Sequence, residues 1–400
     1  MGETVKIIFL HRLWPVYGGG ETVTICLANE MVKRSVDVHI AYFKDSKITK
    51  EVPYIDERII CHKIDNVRFN ELSSDFFINK HESEYISRQL CQIVNQEKID
   101  IIHNQWWPVK FLSGIHDCTN AKIITCLHMD VDLRKSFDFT GPKGFLLKFL
   151  YPFYRKIEQK KNLWRANNYY KYSDKFVFLA PCFQEKFEKM RGVSAKDPKL
   201  ASIYNPTVYA NLISNQELDE KEKIVLFVGR LSEKHKKITR ILNVWKLIEK
   251  DKRFNEWKLI VVGDGEDRLL YENIIQENVL QRVYMEGYKN PTPYYRKASI
   301  FLMTSAYEGF GMTLVESQQQ GVACVVMDTF DSLHDIIENG KNGIITPDGD
   351  IDAFREGLVT LMLNEEYRRK LVCCGLQSCQ RFAVSKIVDD WMNLYSQVLL

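Results

Sequence analysis

Ile300-Phe301-Leu302-Met303-Thr304-Ser305-Ala306-Tyr307-Glu308-Gly309-Phe310-Gly311-Met312-Thr313-Leu314-Val315-Glu316 changes character twice. Four apolar residues predict a buried strand over 300–303. Two glycines then allow close backbone approach, and Thr313 onward reads as a helix whose first amides are open to an anion. Strand, glycine-bearing loop and helix start is the repeating unit of parallel sheets covered by helices, where ligands sit beyond the carboxyl ends of the strands. A diphosphate fits such a helix start. Glu308 lies in the loop and Glu316 in the first turns of the helix, so their carboxylates can reach opposite ends of one ligand. A capping or dipole role is the plainer alternative for Glu316.

Working outward, short apolar runs alternate with helical patterns along most of the chain. Val5 to Leu10, Val36 to Phe43, Ile101 to His103, Ile123 to Leu127 and Lys175 to Leu179 predict one series of strands. Ile224 to Val228, Leu259 to Val262, Val283 to Glu286, Ile300 to Met303, Ala323 to Met327 and Gly343 to Thr346 predict a second. Two sheets imply two domains, for which 400 residues are ample. Tyr204-Asn205-Pro206, followed by the polar, acidic stretch Ser214 to Lys223, reads as a hinge. The expected division is 1–205, 206–380 and a closing helix over 381–400. That helix has Ile387, Trp391, Leu394 and Val398 on one face, and either closes the second domain or crosses back onto the first.

Basic and acidic side chains number 55 and 52, too nearly balanced to argue for a nucleic-acid partner. The start lacks the apolar core and cleavage site of a signal peptide, and no run is long enough to span a bilayer. A cytoplasmic protein, soluble or peripheral, is expected. Its 10 cysteines show no two-residue spacing and are read as reduced thiols without a metal or disulfide role.

Other loops fall at predicted carboxyl ends of strands. Phe227-Val228-Gly229-Arg230-Leu231 ends a buried strand in a glycine, and Lys236 follows closely. Arg230 offers a donor fork to phosphate oxygens and Lys236 a compact charge; a solvated basic turn is the alternative. Gly263-Asp264-Gly265-Glu266 and Gly287-Tyr288 should rim the same crevice and hold a base or ribose, or merely reverse the chain. In the first half Tyr17-Gly18-Gly19-Gly20-Glu21 forms a turn before a helix over Thr22 to Lys33. Its spacing does not match GxGxxG, which disfavours a nicotinamide cofactor. His128 and His103 each end a strand on the ligand edge, where a structural role is the alternative. Asp130 and Asp132 have metal-pair spacing but lack an oxygen-rich surrounding and are discounted. From Arg134 to Tyr172 basic residues far outnumber acidic ones and interleave with Phe145, Phe149, Tyr151, Phe153, Tyr154 and Trp164. Such a segment can lie on an anionic bilayer, or can be a core helix with a solvated basic face.

The order Gly18 to Glu21, His128, Gly229 to Lys236, Glu308 to Glu316 resembles family 4 of the glycosyltransferases over nearly the whole chain. The most specific part is the glutamate pair separated by seven residues around Gly309-Phe310-Gly311; the Arg230 and Lys236 pair is second. The resemblance implies the α/β GT-B fold, two Rossmann-like domains facing each other across a cleft, and a retaining transferase without a metal cofactor. UDP- or GDP-sugar would be the donor, a glycan or lipid-linked molecule the acceptor. Arg230 and Lys236 would hold the diphosphate with amides near Met312, Thr313 and Leu314, Glu308 the transferred sugar and Glu316 the ribose. His128 would face the sugar, and the loop containing Gly19 would lie near acceptor and phosphates. Gln318, Gln319, Gln320, Ala323 and Cys324 depart from the family pattern, as does the glycine-free loop Thr329 to His334. A catalytically silent sugar-nucleotide-binding partner and a GT-B sugar-nucleotide epimerase are the alternatives, the latter wanting an acid/base set not found here.

Overall fold

The computed structural model describes residues 4–15, 19–45, 54–64, 80–105, 107–132, 141–193, 197–209 and 212–400, with backbone alone over 141–149. Described residues up to 132, 141–208 and 384–400 form one compact unit, and 209–383 form the other.

The first unit holds a seven-stranded parallel sheet in the order Ile60–Lys63, Asp37–Tyr42, Lys6–Leu10, Ile101–Asn104, Lys122–Leu127, Lys175–Phe178, Leu200–Ser202. The chain starts in the middle, winds to one edge, then returns to wind to the other. Strand order therefore reverses between Lys6–Leu10 and Ile101–Asn104, where Phe9 pairs with His103. The predicted strands appear within a residue or two of their expected bounds. Two outer strands, Ile60–Lys63 and Leu200–Ser202, were not expected, nor was the short pair Leu13–Trp14 and Lys44–Asp45. Helix Val384–Leu399 belongs to this unit, with Ile387, Trp391, Leu394 and Tyr395 buried and the helix Gly19–Lys33 as a neighbour.

The second unit repeats the winding with six parallel strands, Val283–Gly287, Lys258–Val262, Ile224–Val228, Ile300–Met303, Ala323–Asp328, Ile344–Pro347. Ile224–Val228 is buried at all five positions, as expected of a central strand covered on both faces. Helix Ile238–Lys250 covers one face with Ile238, Ile241, Leu242, Trp245 and Ile248, the three-and-four spacing of one helix side. Strand order reverses between Ile224–Val228 and Ile300–Met303.

Two sequence expectations are corrected. The stretch Ser214 to Lys223 is no open hinge: Ser214 and Glu217 form a reciprocal capping box on helix Asn215–Asp219, and Leu218 packs against Gly321. Of the acidic residues that suggested a linker, Glu217 caps the helix start, Asp219 pairs with Arg369, and Glu222 pairs with Lys258 and Lys297. The cysteines are not all free, because Cys91 and Cys118 are bonded with Cα atoms 6.2 Å apart, leaving eight thiols. No helix among the described residues is long and apolar enough to cross a membrane.

Candidate functional site

In the second unit the loops that leave the two strands at the reversal point meet. Thr304 Oγ1 donates to the carbonyls of Lys236 and Lys237, each at 3.0 Å, and the Ala306 amide donates to the His235 carbonyl at 2.7 Å. These bonds bring the Lys236 Nζ to 2.5 Å from Glu308 Oε1, with both side chains mostly buried at 17% and 15% exposure. Arg230, more exposed, is paired with Glu266 at 3.0 Å. Two candidate phosphate-binding cations thus each rest against a carboxylate. Sequence reading had Lys236 and Glu308 at one crevice but not touching, and it did not single out Glu266 as the partner of Arg230.

The glycines of this edge work by close backbone fit. Gly263 has φ +140°, and a Cβ there would run into the Gly229 carbonyl; one at Gly265 would run into that of Leu231. The Leu231 amide donates to the Asp264 carbonyl at 2.9 Å and the Gly263 amide to the Gly287 carbonyl at 2.8 Å. The three strand ends are so stitched into one floor, with Tyr288 half-exposed at its margin. Gly263→Ala is expected to cost about 2–4 kcal/mol. The check is a lowered urea midpoint at unchanged slope, and an unchanged midpoint would refute the fit.

Helix Met312–Gln319 starts from Gly311 at φ +96°, with no side chain capping it. Phe330 and Ile336 lie about a van der Waals distance from where a Cβ on Gly311 would be. The Leu314 amide donates to the Gly311 carbonyl at 2.9 Å, so Leu314 cannot offer an amide as expected, and the open amides narrow to Met312 and Thr313. Phe310 is buried against Phe382, and Leu314 is buried too, leaving backbone as what they and half-buried Gly309 present. The loop Thr329 to His334 backs this segment: Thr329 Oγ1 donates to the Ser305 carbonyl at 2.5 Å and Ser332 Oγ to that of Phe310 at 3.3 Å. Gln318 and Gln319 are also structural, the latter donating to the Tyr209 carbonyl at 2.5 Å.

Glu316 is partly buried and accepts from the Tyr295 hydroxyl at 3.0 Å. Burial pushes its carboxyl up to about 7, against a smaller opposing pull from Tyr295 and Lys236. Tyr295, in helix Thr292–Lys297, carried no sequence signal. In the unfolded chain Glu316 titrates near 4.5, so between about 4.5 and 7 the folded state holds the extra proton. Its ionisation therefore lowers stability as pH rises through that window. Glu316→Gln should melt higher than wild type at pH 8, by about 2–3 kcal/mol of stability, and equally at pH 4.5. A gap of equal size at both pH values would contradict this.

In the first unit His128 follows strand Lys122–Leu127 and is buried, which lowers its imidazole to about 4. It is neutral near pH 7. His11, which sequence reading passed over although it follows the first strand, is buried nearby, and desolvation and His128 lower it to about 3. His103 takes the structural alternative, its placement on the ligand edge being what is corrected: it sits inside strand Ile101–Asn104, bonded through Nδ1 to the Tyr395 hydroxyl at 2.7 Å and packed 4.4 Å from the Trp391 ring. That is a core position under the last helix. The helix Gly19–Lys33 begins three residues earlier than expected, so Gly19 and Gly20 are its first turn. Gly19 is exposed with open space around it; Tyr17 and Gly18 lie outside the described residues. Asp130 and Asp132 are taken up by Lys186 at 2.5 Å and Arg155 at 2.6 Å.

Cations beside an uncapped helix start at a doubly wound sheet's reversal point are chemistry that suits a diphosphate. The family described as Glycosyltransferase Family 4 matches residues 17–207, and that described as Glycosyl transferases group 1 matches residues 210–373. The chain belongs to family 4 of the glycosyltransferases. A Campylobacter jejuni relative, GalNAc-alpha-(1->4)-GalNAc-alpha-(1->3)-diNAcBac-PP-undecaprenol alpha-1,4-N-acetyl-D-galactosaminyltransferase, is 23% identical over 95% of this chain and 96% of its own. Among solved structures, the lipopolysaccharide outer core galactosyltransferase WaaB in its apo form superposes with a TM-score of 0.68 at 20% identity, covering 98% of this chain and 100% of that one. Anabaena Alr3699/HepE in complex with UDP and glucose gives 0.72 at 17% identity, covering 98% and 100%. The fold of this glycosyltransferase is accordingly GT-B, two α/β domains with parallel sheets.

Proposed function

We propose that this glycosyltransferase moves a hexose-type sugar, with retention, from a UDP- or GDP-sugar to a glycan or lipid-linked acceptor in the synthesis of bacterial surface polysaccharide or lipopolysaccharide. The observation that carries the reading is the Lys236 and Glu308 pair beside the uncapped start of helix Met312–Gln319. Breaking the bond at the anomeric carbon builds negative charge on the departing diphosphate, and fixed donors aimed at that charge lower the barrier. Lys236, Arg230 and the amides of Met312 and Thr313 are those donors. Glu308, displaced from Lys236 by the phosphate, takes hydroxyls of the transferred sugar, and Glu316 takes the ribose. His128, neutral near pH 7, donates or accepts a hydrogen bond at the sugar. In this reading protein cations supply the positive charge, so no divalent metal is required. Retention follows if the acceptor enters on the leaving group's own face with a diphosphate oxygen as base. The relatives support the substrate classes: one is named for an undecaprenol-linked glycan, another was solved with UDP and glucose.

Incubation with a panel of nucleotide sugars, with and without EDTA, tests the proposal by donor-specific binding and slow hydrolysis. Binding and turnover of one donor, insensitive to EDTA, is the expected result; binding without turnover in the presence of acceptor extracts would favour the silent-partner alternative.

The helix Gly141–Lys171 supports a membrane-face acceptor. Leu150, Phe153, Ile157 and Trp164 are exposed at spacings of three, four and seven, which keeps them on one side, with Phe153 at 70%. Lys156, Lys160 and Lys161 are exposed beside them, while Glu158 is buried. Rings at the interface and ammonium groups among anionic headgroups is the arrangement of an interfacial helix. The double substitution Phe153→Ser, Trp164→Ser should weaken co-sedimentation with anionic vesicles by about tenfold or more. Equal wild-type binding to neutral vesicles would count against the charged part of the contact.

A further inference from the structure

The amino ends of the second unit's strands, opposite the loops described above, border a cavity of about 390 Å³. Lys223, Ser299 and Gly321, each just ahead of a strand, form part of its wall. Arg368 and Arg369 of helix Glu365–Cys379 form another part, with Lys221 between. The charges here are unevenly matched. Both acids of the wall, Asp219 and Glu365, are committed to Arg369 at 2.9 and 3.1 Å. Arg368 reaches Glu365 only at 3.9 Å and otherwise donates to the Leu361 carbonyl at 2.6 Å. Lys221 donates to the carbonyls of Tyr295 at 2.7 Å and Gln320 at 2.6 Å, and Glu217 acts on it only through space. Burial lowers Lys221 to about 7 and lowers Arg368 as well.

Two desolvated cations therefore share one cavity: Lys221 has only carbonyls as hydrogen-bond partners, and Arg368 has the Trp257 ring at 5.5 Å and, at 3.9 Å, a Glu365 that Arg369 already holds more closely. Carbonyl dipoles offset only part of the cost of taking a charge out of water, and a multi-oxygen anion would offset the rest at both groups together. We propose that this cavity binds a small phosphate-bearing anion, held by the Lys221 ammonium and the Arg368 guanidinium. The site is independent of the donor reading, since it lies at the other end of the strands. It is nevertheless linked to Glu316, because Tyr295 accepts from Lys221 through its carbonyl and donates its hydroxyl to Glu316.

The test uses full-length protein saturated with UDP, so that the carboxyl-edge loops are occupied, and inorganic phosphate or glycerol phosphate as probe. Equilibrium dialysis should show one probe bound per chain, with a further rise in melting temperature. Lys221→Met should weaken probe binding at least tenfold without altering UDP binding, and Arg368→Met serves the same purpose should the first variant not fold. Binding of glycerol phosphate over phosphate would identify a phosphorylated metabolite as occupant, and the reverse the free ion. The proposal is overturned by no binding of either probe to UDP-saturated wild type, or by undiminished binding in folded Lys221→Met.

Discussion

Lys236→Ala is expected to lower kcat/KM for the donor by about 10²–10³-fold, the usual effect of removing one preorganised donor from a developing anion, while the empty protein still folds. Lys236 is mostly buried, and its stem lies against Gly229, with Cε 3.4 Å from where a Cβ on that glycine would be. The ammonium is thus held in one place before any ligand arrives. Preorganisation of this kind is what makes a cation effective in a transition state. Truncation has a second consequence: Glu308 loses its cation and turns its charge on the incoming diphosphate. Arg230 offers a contrast, because it is exposed at 67% and its ion pair with Glu266 is screened by solvent. Arg230→Ala should therefore cost less, about tenfold. Steady-state kinetics on both variants decide the matter. A Lys236→Ala enzyme within threefold of wild type would remove Lys236 from the site.

The order of these two effects was not legible in the sequence, although both residues were. Ile224–Val228 and Ile300–Met303 could be read to the residue because a central parallel strand is a continuous apolar run with polar flanks. Ile60–Lys63 was missed for the opposite reason: three of its four residues are exposed, and only pairing with Asp37–Tyr42 makes it a strand. Pairing across distance also decided the site. Glu308 meets Lys236 from 72 residues away, and His103 is drawn into the core by Tyr395 from 292 away. Local chemistry marked the histidine as a rim residue; a helix at the end of the chain made it a core one. Ser214 to Lys223 failed differently, since a capping box and a flexible acidic linker have the same composition and differ only in spacing and in what Leu218 touches.

Glu308→Gln should separate turnover from nucleotide binding by moving them in opposite directions. Turnover is expected to fall about 10²-fold, because an amide cannot hold charge developing on the sugar as a carboxylate can. UDP should nevertheless bind more tightly. Lys236 Nζ and Glu308 Oε1 stand 2.5 Å apart, so a diphosphate reaching for Lys236 competes with a carboxylate that is already there and repels it. Product UDP carries no sugar to engage Glu308 in return. Glutamine keeps the shape and removes both the competition and the repulsion. If the displaced pair is worth about 1 kcal/mol net, its attraction being largely offset by the cost of burying both charges, affinity rises about fivefold. Calorimetric titration of wild type and Glu308→Gln with UDP measures the sign directly. A variant that lost turnover and also bound UDP more weakly would mean that Glu308 holds the nucleotide itself, and the transferred sugar would then need another partner.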